Sequence, residues 1–390
     1  MEQEEFTFGG KIRLTAVIVL LLVSMLILVP APIYILWELE IATTEWSTYL
    51  AIFALLLLIP GWKRGRYSLI SSLLALMVFC ISAMPLIRAL EVGETLQVDL
   101  ESAFGPTAPH QIDGAPALIK PITLRLLLSD PAAPNVEVQT VNYAPRVSGF
   151  LRMDLYKSTV LPAPRPVVIV LHGGSWQGGD RTDLPDLSYY LAARGYYVAA
   201  IDYRFAPQFK NPAQTEDLND AIDYLKRNAS PLGVDPTRIA LIGRSAGGHL
   251  VLLSAYTKRD PSIKGVVALY PPTDQLYGYQ NPSRIIPGRQ ILRDYIGGTP
   301  QSHPREYMAN SPVGFVDANS PPTLLIHGTK DELVSVRQSA MLAERLAAKD
   351  RPHLFVELPW ATHGCDYVFN GPCGQITTYS IERFLAAVLR

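Results

Sequence analysis

Apolar residues crowd into the first ninety positions as long uncharged runs, then recur as short strand-length runs after about position 135. Leu14 to Trp37 holds 24 residues without a charge, Trp46 to Trp62 holds 17, and Tyr67 to Ile87 holds 21. As helices these would measure roughly 36, 26 and 32 Å, against a hydrocarbon core of about 30 Å. The pattern predicts about three transmembrane helices in a region covering residues 1–89. The second run is short and carries Pro60, so a re-entrant or interfacial segment is its alternative reading. Buried core helices do not need such lengths, and a cleaved signal peptide has a shorter apolar stretch with no further span directly behind it.

From Leu90 to Phe104 the spacing changes: Val92, Leu96, Leu100 and Phe104 recur every four residues with acidic side chains opposite, and Gly105 follows as a stop. This predicts an amphipathic connecting helix. Residues 105–135 are rich in Pro and Gly and read as a linker with an apolar patch at Ile122 to Leu128, so residues 90–134 form the connector as a whole.

Beyond it, residues 135–390 alternate strand-length β-branched runs with helix-length amphipathic ones, the signature of a doubly wound, mainly parallel sheet. Val136 to Val141 and Phe150 to Tyr156 read as an opening antiparallel pair. Val167 to Leu171, Tyr197 to Ile201, Ile239 to Ile242, Val266 to Tyr270, Thr323 to Ile326 and Leu354 to Leu358 bring the count to eight strands. Leu184 to Ala193, Glu216 to Lys226, Ala246 to Tyr256, Val336 to Ala348 and Ile376 to Leu389 have helical spacing between and after them.

Charge adds orientation. Lys11 and Arg13 precede the first span and Lys63, Arg64 and Arg66 separate the second from the third, whereas the loop between the first two holds Glu38, Glu40 and Glu45 and no basic residue. Only Arg88 follows the third closely. Basic residues stay on the cytoplasmic side, which predicts a cytoplasmic N-terminus, an extracytoplasmic domain after residue 88, and the lipid bilayer as a partner. The net charge of -1 offers no field for a polyanion, so nucleic acid is not expected. Three cysteines without CxxC spacing and seven scattered histidines give no metal-ligand pattern, and neither a metal nor a cofactor is expected.

Candidate chemistry lies at the strand ends. The strand Ile239 to Ile242 runs into Gly243-Arg244-Ser245-Ala246-Gly247-Gly248 and then an apolar helix, the context that makes G-x-S-x-G a nucleophile elbow. The helix N-terminus behind Ser245 favours developing negative charge. After Val167 to Leu171 comes His172-Gly173-Gly174-Ser175-Trp176, where side-chain-poor glycines leave backbone N–H groups of Gly173 and Gly174 to join that of Ala246 as oxyanion donors. A serine needs a base and the base needs a carboxylate, in the chain order Ser, acid, His for this arrangement. Only His363 follows the final strand and precedes the last helix, and Asp331 lies just past Thr323 to Ile326, with Glu332 as the reserve acid.

HGGSW, GRSAGGH, HGTKDELV and ATHG, with IDYRFAP after the fourth strand, together resemble the α/β-hydrolase superfamily, in its esterase/lipase branch with kynurenine-formamidase-like and hormone-sensitive-lipase-like members. The resemblance covers roughly residues 135–390 and does not extend to the apolar N-terminal spans. It implies Ser245 as nucleophile, His363 as base, Asp331 as its orienter, and Gly173, Gly174 and Ala246 as oxyanion donors. Ser175 stands where many members carry a third glycine. The Pro- and Tyr-rich excursion at about 271–321, with Asp274, Tyr277, Tyr279 and Tyr295, resembles the family's lid; Trp176 and Trp360 are candidate pocket walls, with packing alone as the favoured alternative for each. The implied reaction is cleavage of a small-molecule or lipid ester. An amidase, a peptidase or an acyltransferase would use the same parts, and a non-catalytic membrane-anchored binding protein is the reading from another class.

Cys365 and Cys373 lie eight positions apart on the loop that carries His363, with Asn370-Gly371-Pro372 able to turn the chain between them. In an extracytoplasmic compartment they are a possible disulfide; two free thiols packed as small apolar groups are the alternative.

Overall fold

The computed structural model describes residues 8–58, 66–106, 118–129, 133–147 and 149–390. Eight strands form one sheet: β1 (Val136–Arg146), β2 (Gly149–Ser158), β3 (Arg165–Leu171), β4 (Tyr197–Ile201), β5 (Val234–Arg244), β6 (Ile263–Leu269), β7 (Thr323–Gly328) and β8 (His353–Leu358). Their order is β1-β2-β4-β3-β5-β6-β7-β8, with β2 antiparallel to both neighbours and every later pair parallel. Buried on both faces, the parallel strands are apolar at nearly every position, which is why they read as continuous runs.

Two helical layers cover the sheet. Val167, Ile169 and Leu171 of β3 face Leu218 and Ile222 of α6 (Ala213–Arg227), Leu250 of α8 (Ala246–Lys258) and Leu342 of α12 (Arg337–Ala347). Val168 and Val170 face the opposite layer, with Leu187 and Tyr190 of α5 (Asp186–Ala192) and Ile376, Tyr379 and Phe384 of α13 (Pro372–Val388). A short helix, α7 (Ala229–Leu232), precedes β5, and the excursion between β6 and β7 folds into α9 (Gln275–Gln280), α10 (Gly288–Ile296) and α11 (Pro304–Ala309).

The N-terminal region consists of α1 (Phe8–Ser24), α2 (Tyr34–Glu45), α3 (Ser47–Leu58) and α4 (Arg66–Phe104). Two segments among the described residues, Gly10–Ile27 and Ser68–Phe104, are long and apolar enough to cross a membrane; α2 and α3 form a pair bent by 71° that passes the same test only when joined. The expected span from Leu14 to Trp37 is thereby corrected: it stops near Ile27, because Pro30 and Pro32 prevent the helix from continuing into α2. The end of the second expected span, beyond Leu58, lies outside the described residues.

The third expected span and the connecting helix form one continuous helix, α4, of 39 residues with Pro85 inside it. Its first half carries exposed Leu69, Leu73, Leu76 and Met77, whereas Ala89, Leu96 and Leu100 of its second half are buried beside α13 and the sheet. Leu118 and Ile122 of the connector join that layer, tied to α13 by Leu118 N–H donating to Glu382 and Thr123 N–H donating to Gln375. Arg13 bonds the carbonyl of Leu57 at 2.8 Å and the hydroxyl of Ser72 at 2.9 Å, so α1, α3 and α4 are linked near one end.

Candidate active site

Strand register brings the site together. Leu171 of β3 pairs with Gly243 of β5, so the loops opening at His172 and Ser245 leave the sheet side by side. Gly328 of β7 pairs with Leu358 of β8, and the loops carrying Asp331 and His363 are likewise adjacent. All four leave the carboxyl edge of the parallel strands, where doubly wound sheets place their ligand crevices.

Ser245 sits between β5 and α8 with φ 51° and ψ -117°, a left-handed backbone that costs a non-glycine residue on the order of 1–3 kcal/mol. The sharp turn is possible because Gly247 has no Cβ: one placed there would meet the carbonyl oxygen of His172 at 2.4 Å. The hydroxyl that results projects into a cavity of about 540 Å³.

His363 Nε2 lies 3.0 Å from Ser245 Oγ, and His363 Nδ1 lies 2.6 Å from Asp331 Oδ2. Asp331 also faces His327 Nε2 at 3.0 Å and accepts the N–H groups of Leu333 and Val334 at 2.8 Å each. Burial works to raise its pKa, but the neighbouring His363 and His327 outweigh that and hold the carboxyl below the usual carboxylate range. Asp331 is thus a buried acceptor fixed on every side, and the chain Ser245–His363–Asp331 can carry a proton from the hydroxyl to the imidazole. The reserve acid Glu332 stands outside that chain; its backbone carbonyl accepts the hydroxyl of Ser283.

The loop at 172–176 packs across the elbow. Gly174 has φ +104°, and a Cβ there would lie 2.1 Å from the carbonyl oxygen of Gly178, so glycine is required. The N–H groups of Gly173 and Gly174 have no backbone acceptor among the described residues, and Ala246 opens α8. Three amides therefore remain available around the serine. Tyr203, within the IDYRFAP segment, holds this loop by donating its hydroxyl to the carbonyls of His172 at 3.2 Å and Gly173 at 3.0 Å while its ring stacks on His172 at 4.3 Å.

Trp176 lines the cavity and is anchored by stacking on Tyr295 at 4.3 Å and by donating its indole N–H to His249 Nδ1 at 3.2 Å. His249 Nε2 lies 2.8 Å from the carbonyl of Asn310, which assigns the proton to that nitrogen. Burial lowers the His249 pKa to about 4, keeping the ring neutral and able to accept from Trp176. Within the excursion, Tyr277 lines the cavity, Asp274 caps α9 by accepting the N–H of Tyr277, and Tyr279 packs on Tyr307. Trp360 follows its packing alternative: it is buried in the core cluster that contains the α13 residues and is not among the cavity-lining residues.

Sequence reading missed two groups. Arg244, next to the serine, donates to Asp366 Oδ2 at 2.5 Å, and Tyr270 donates to Asp366 Oδ1 at 2.5 Å, fastening the loop of His363 to the elbow. The Tyr270 ring also lies 4.4 Å from that of His363. In the same loop, and not among the missed groups, Cys365 and Cys373, named above as a possible disulfide, have Cα atoms 5.7 Å apart with their sulfurs in bonding contact. The second missed group is Tyr34 and Trp37 of α2, which line the cavity, the Trp37 ring 6.4 Å from that of His363. Arg244 and Asp366 carried a signal, being opposite charges flanking two motifs; Tyr34 and Trp37 carried none, since an aromatic beside an apolar run reads as an interfacial anchor.

Residues 153–346 match the BD-FAE family model. The chain is 34% identical over 259 residues to Esterase LipC of Mycobacterium tuberculosis, covering 61% of this chain and 62% of that protein. It is 30% identical to the probable carboxylic ester hydrolase LipM of the same organism, covering 58% and 56%. Each match thus spans less than two thirds of the relative's own length. Among solved structures, a bacterial heroin esterase superposes with a TM-score of 0.59 at 22% identity, covering 68% of this chain and 89% of that one, which is a likeness of fold. Strand order, the elbow between β5 and α8, and the sequence matches agree: the chain has an α/β-hydrolase fold and is similar to esterases over somewhat less than two thirds of its length.

Proposed function

We propose that this chain is a membrane-anchored serine hydrolase that cleaves carboxylic esters, with its hydrolase domain outside the cytoplasm. The observation that carries the chemistry is the hydrogen-bonded chain from Ser245 Oγ through His363 to Asp331, at 3.0 and 2.6 Å, in a cavity beside three backbone amides. Ser245 Oγ attacks the ester carbonyl carbon as its proton passes to His363 Nε2, and the N–H groups of Gly173, Gly174 and Ala246 take the charge that forms on the carbonyl oxygen. The carbon–oxygen bond to the alcohol then breaks and His363 returns the proton to the leaving oxygen. Water, deprotonated by His363, attacks the acyl-enzyme, releasing the carboxylic acid and restoring Ser245. Asp331 keeps the imidazole in the required tautomer throughout. The esterase names of LipC and LipM favour this over amide cleavage.

The apolar helices and the charge asymmetry around them support anchoring and orientation. In that compartment Cys365 and Cys373 form a disulfide, which alkylation of unreduced protein checks. A fluorophosphonate probe applied to the detergent-purified protein tests the central reading. Labelling that disappears in Ser245→Ala, together with ester turnover falling by about six orders of magnitude, is the expected result. Labelling elsewhere in the chain, or turnover retained by the variant, removes Ser245 from its role.

A further inference from the structure

Part of the cavity wall comes from the apolar N-terminal region, through Tyr34 and Trp37. Helix α1 leads into Ile27, whose carbonyl oxygen accepts a hydrogen bond from Lys330 Nζ, the residue before Asp331. Six residues separate Ile27 from α2, which crosses the site. Ala31, Trp37 and Ile41 pack there against Ile285 and Leu333, and Tyr34 and Trp37 close the cavity. The end of an apolar helix and the catalytic histidine are thus bridged by a single short element.

That element has a second face. Leu28, Val29, Ile33, Ile35 and Leu39 are all exposed, Ile35 at 69%. Aliphatic side chains left exposed along one short segment in this way are disfavoured in water and favoured at the boundary between headgroups and acyl chains. Its position fixes the occupant: it continues directly from α1, one of the segments able to cross a membrane, so the same bilayer that receives α1 meets this face. The inner surface of the cavity is apolar as well, through Ile286, Ile291, Leu292 and Leu333. Apolar residues thus lie both on the exposed side of the α2 segment and inside the cavity that holds Ser245.

We infer that the substrate class is a membrane-resident lipid ester, whose acyl chain enters from the bilayer side across the α2 segment. This rests on the hydrolase reading above and deepens it. A dissolved ester needs no such surface; a chain already in the bilayer stays in apolar surroundings as it moves toward the serine, so its desolvation is not reversed on the way.

The test uses the full-length protein in phosphatidylcholine vesicles with two probes, p-nitrophenyl butyrate in the water phase and a diacylglycerol embedded in the vesicle. The variant is Val29→Ser with Ile33→Ser and Ile35→Ser, three residues that face away from the cavity. The readout is the ratio of the embedded-ester rate to the butyrate rate, which cancels any loss of folded protein. The expected result is a ratio lowered by about tenfold, as weakened apolar contact with the bilayer reduces lipid entry. A ratio unchanged from the parent protein overturns the inference, as does a parent protein that hydrolyses butyrate but not the embedded ester. Hydrolysis of neither by the parent protein would instead defeat the hydrolase reading itself.

Discussion

On the sheet side of the cavity, polar groups meet in fixed pairs: Asp331 faces two imidazoles and two backbone amides, and Asp366 holds both Arg244 and Tyr270. On the α2 side the cavity is closed by the rings of Tyr34 and Trp37, and the outward surface is aliphatic. Hydrogen bonds are directional, so the first wall can hold an imidazole and a hydroxyl to within tenths of an ångström, as proton transfer requires. Apolar contact is non-directional and scales with area, so the second wall sets which solvent the cavity meets rather than which atom goes where. Besides the packing of Trp37 and Ile41 on Leu333, the two walls are joined by hydrogen bonds from Lys330 to the carbonyl of Ile27 and from the N–H of Cys373, in the first turn of α13, to the side chain of Glu45 at the end of α2, at 2.8 Å.

The largest effect is expected on the directional wall. Asp331→Asn should lower turnover by about ten-thousand-fold while substrate affinity changes little, since the amide cannot hold the imidazole in the working tautomer. Steady-state kinetics on the purified variant measures this, and a comparable loss from Glu332→Gln with Asp331→Asn near normal would transfer the role to Glu332.

Next comes the ion pair behind the histidine loop. Arg244 and Asp366 are both buried, their side chains 6% and 4% exposed, so Asp366→Asn leaves an unmatched guanidinium and should destabilise the domain by about 3–5 kcal/mol. Denaturant unfolding in detergent reads the loss. The pair Arg244→Met with Asp366→Leu should recover much of it, because replacing both charges removes the unmatched one. Recovery of stability without recovery of turnover would show that the network positions His363 as well as supporting the fold.

The smallest effect tests the joint between the walls. Glu45→Ala removes the acceptor for the buried N–H of Cys373 in the first turn of α13, so stability should drop by about 1 kcal/mol. A drop several times larger, measured by the same unfolding assay, would mean that α2 contributes to holding the histidine loop and is more than a wall.

The strands, the elbow and the residues at strand ends were legible because their signals are local. A β-branched run followed by a glycine-flanked serine and an apolar helix specifies backbone geometry within a dozen residues, and chain order then leaves His363 and Asp331 as the partners for Ser245. The long uncharged runs were legible for the same reason, since length and charge are properties of a segment by itself. Their ends were less so: Pro30 and Pro32 divide the first run, while Pro85 does not end α4, and only packing against α13 shows why the helix continues.

What the amino-acid order determined, then, is the sheet, the spacing of reactive groups along its edge and an apolar N-terminal region. Tertiary structure alone decided that Arg244 meets Asp366 across 122 positions, that Glu45 reaches Cys373 across 328, and that Tyr34 and Trp37 close the cavity. The physical reason is that periodicity records which face of an element is apolar, whereas the partner of that face is fixed by how distant segments share one core, a choice in which no single segment carries the information.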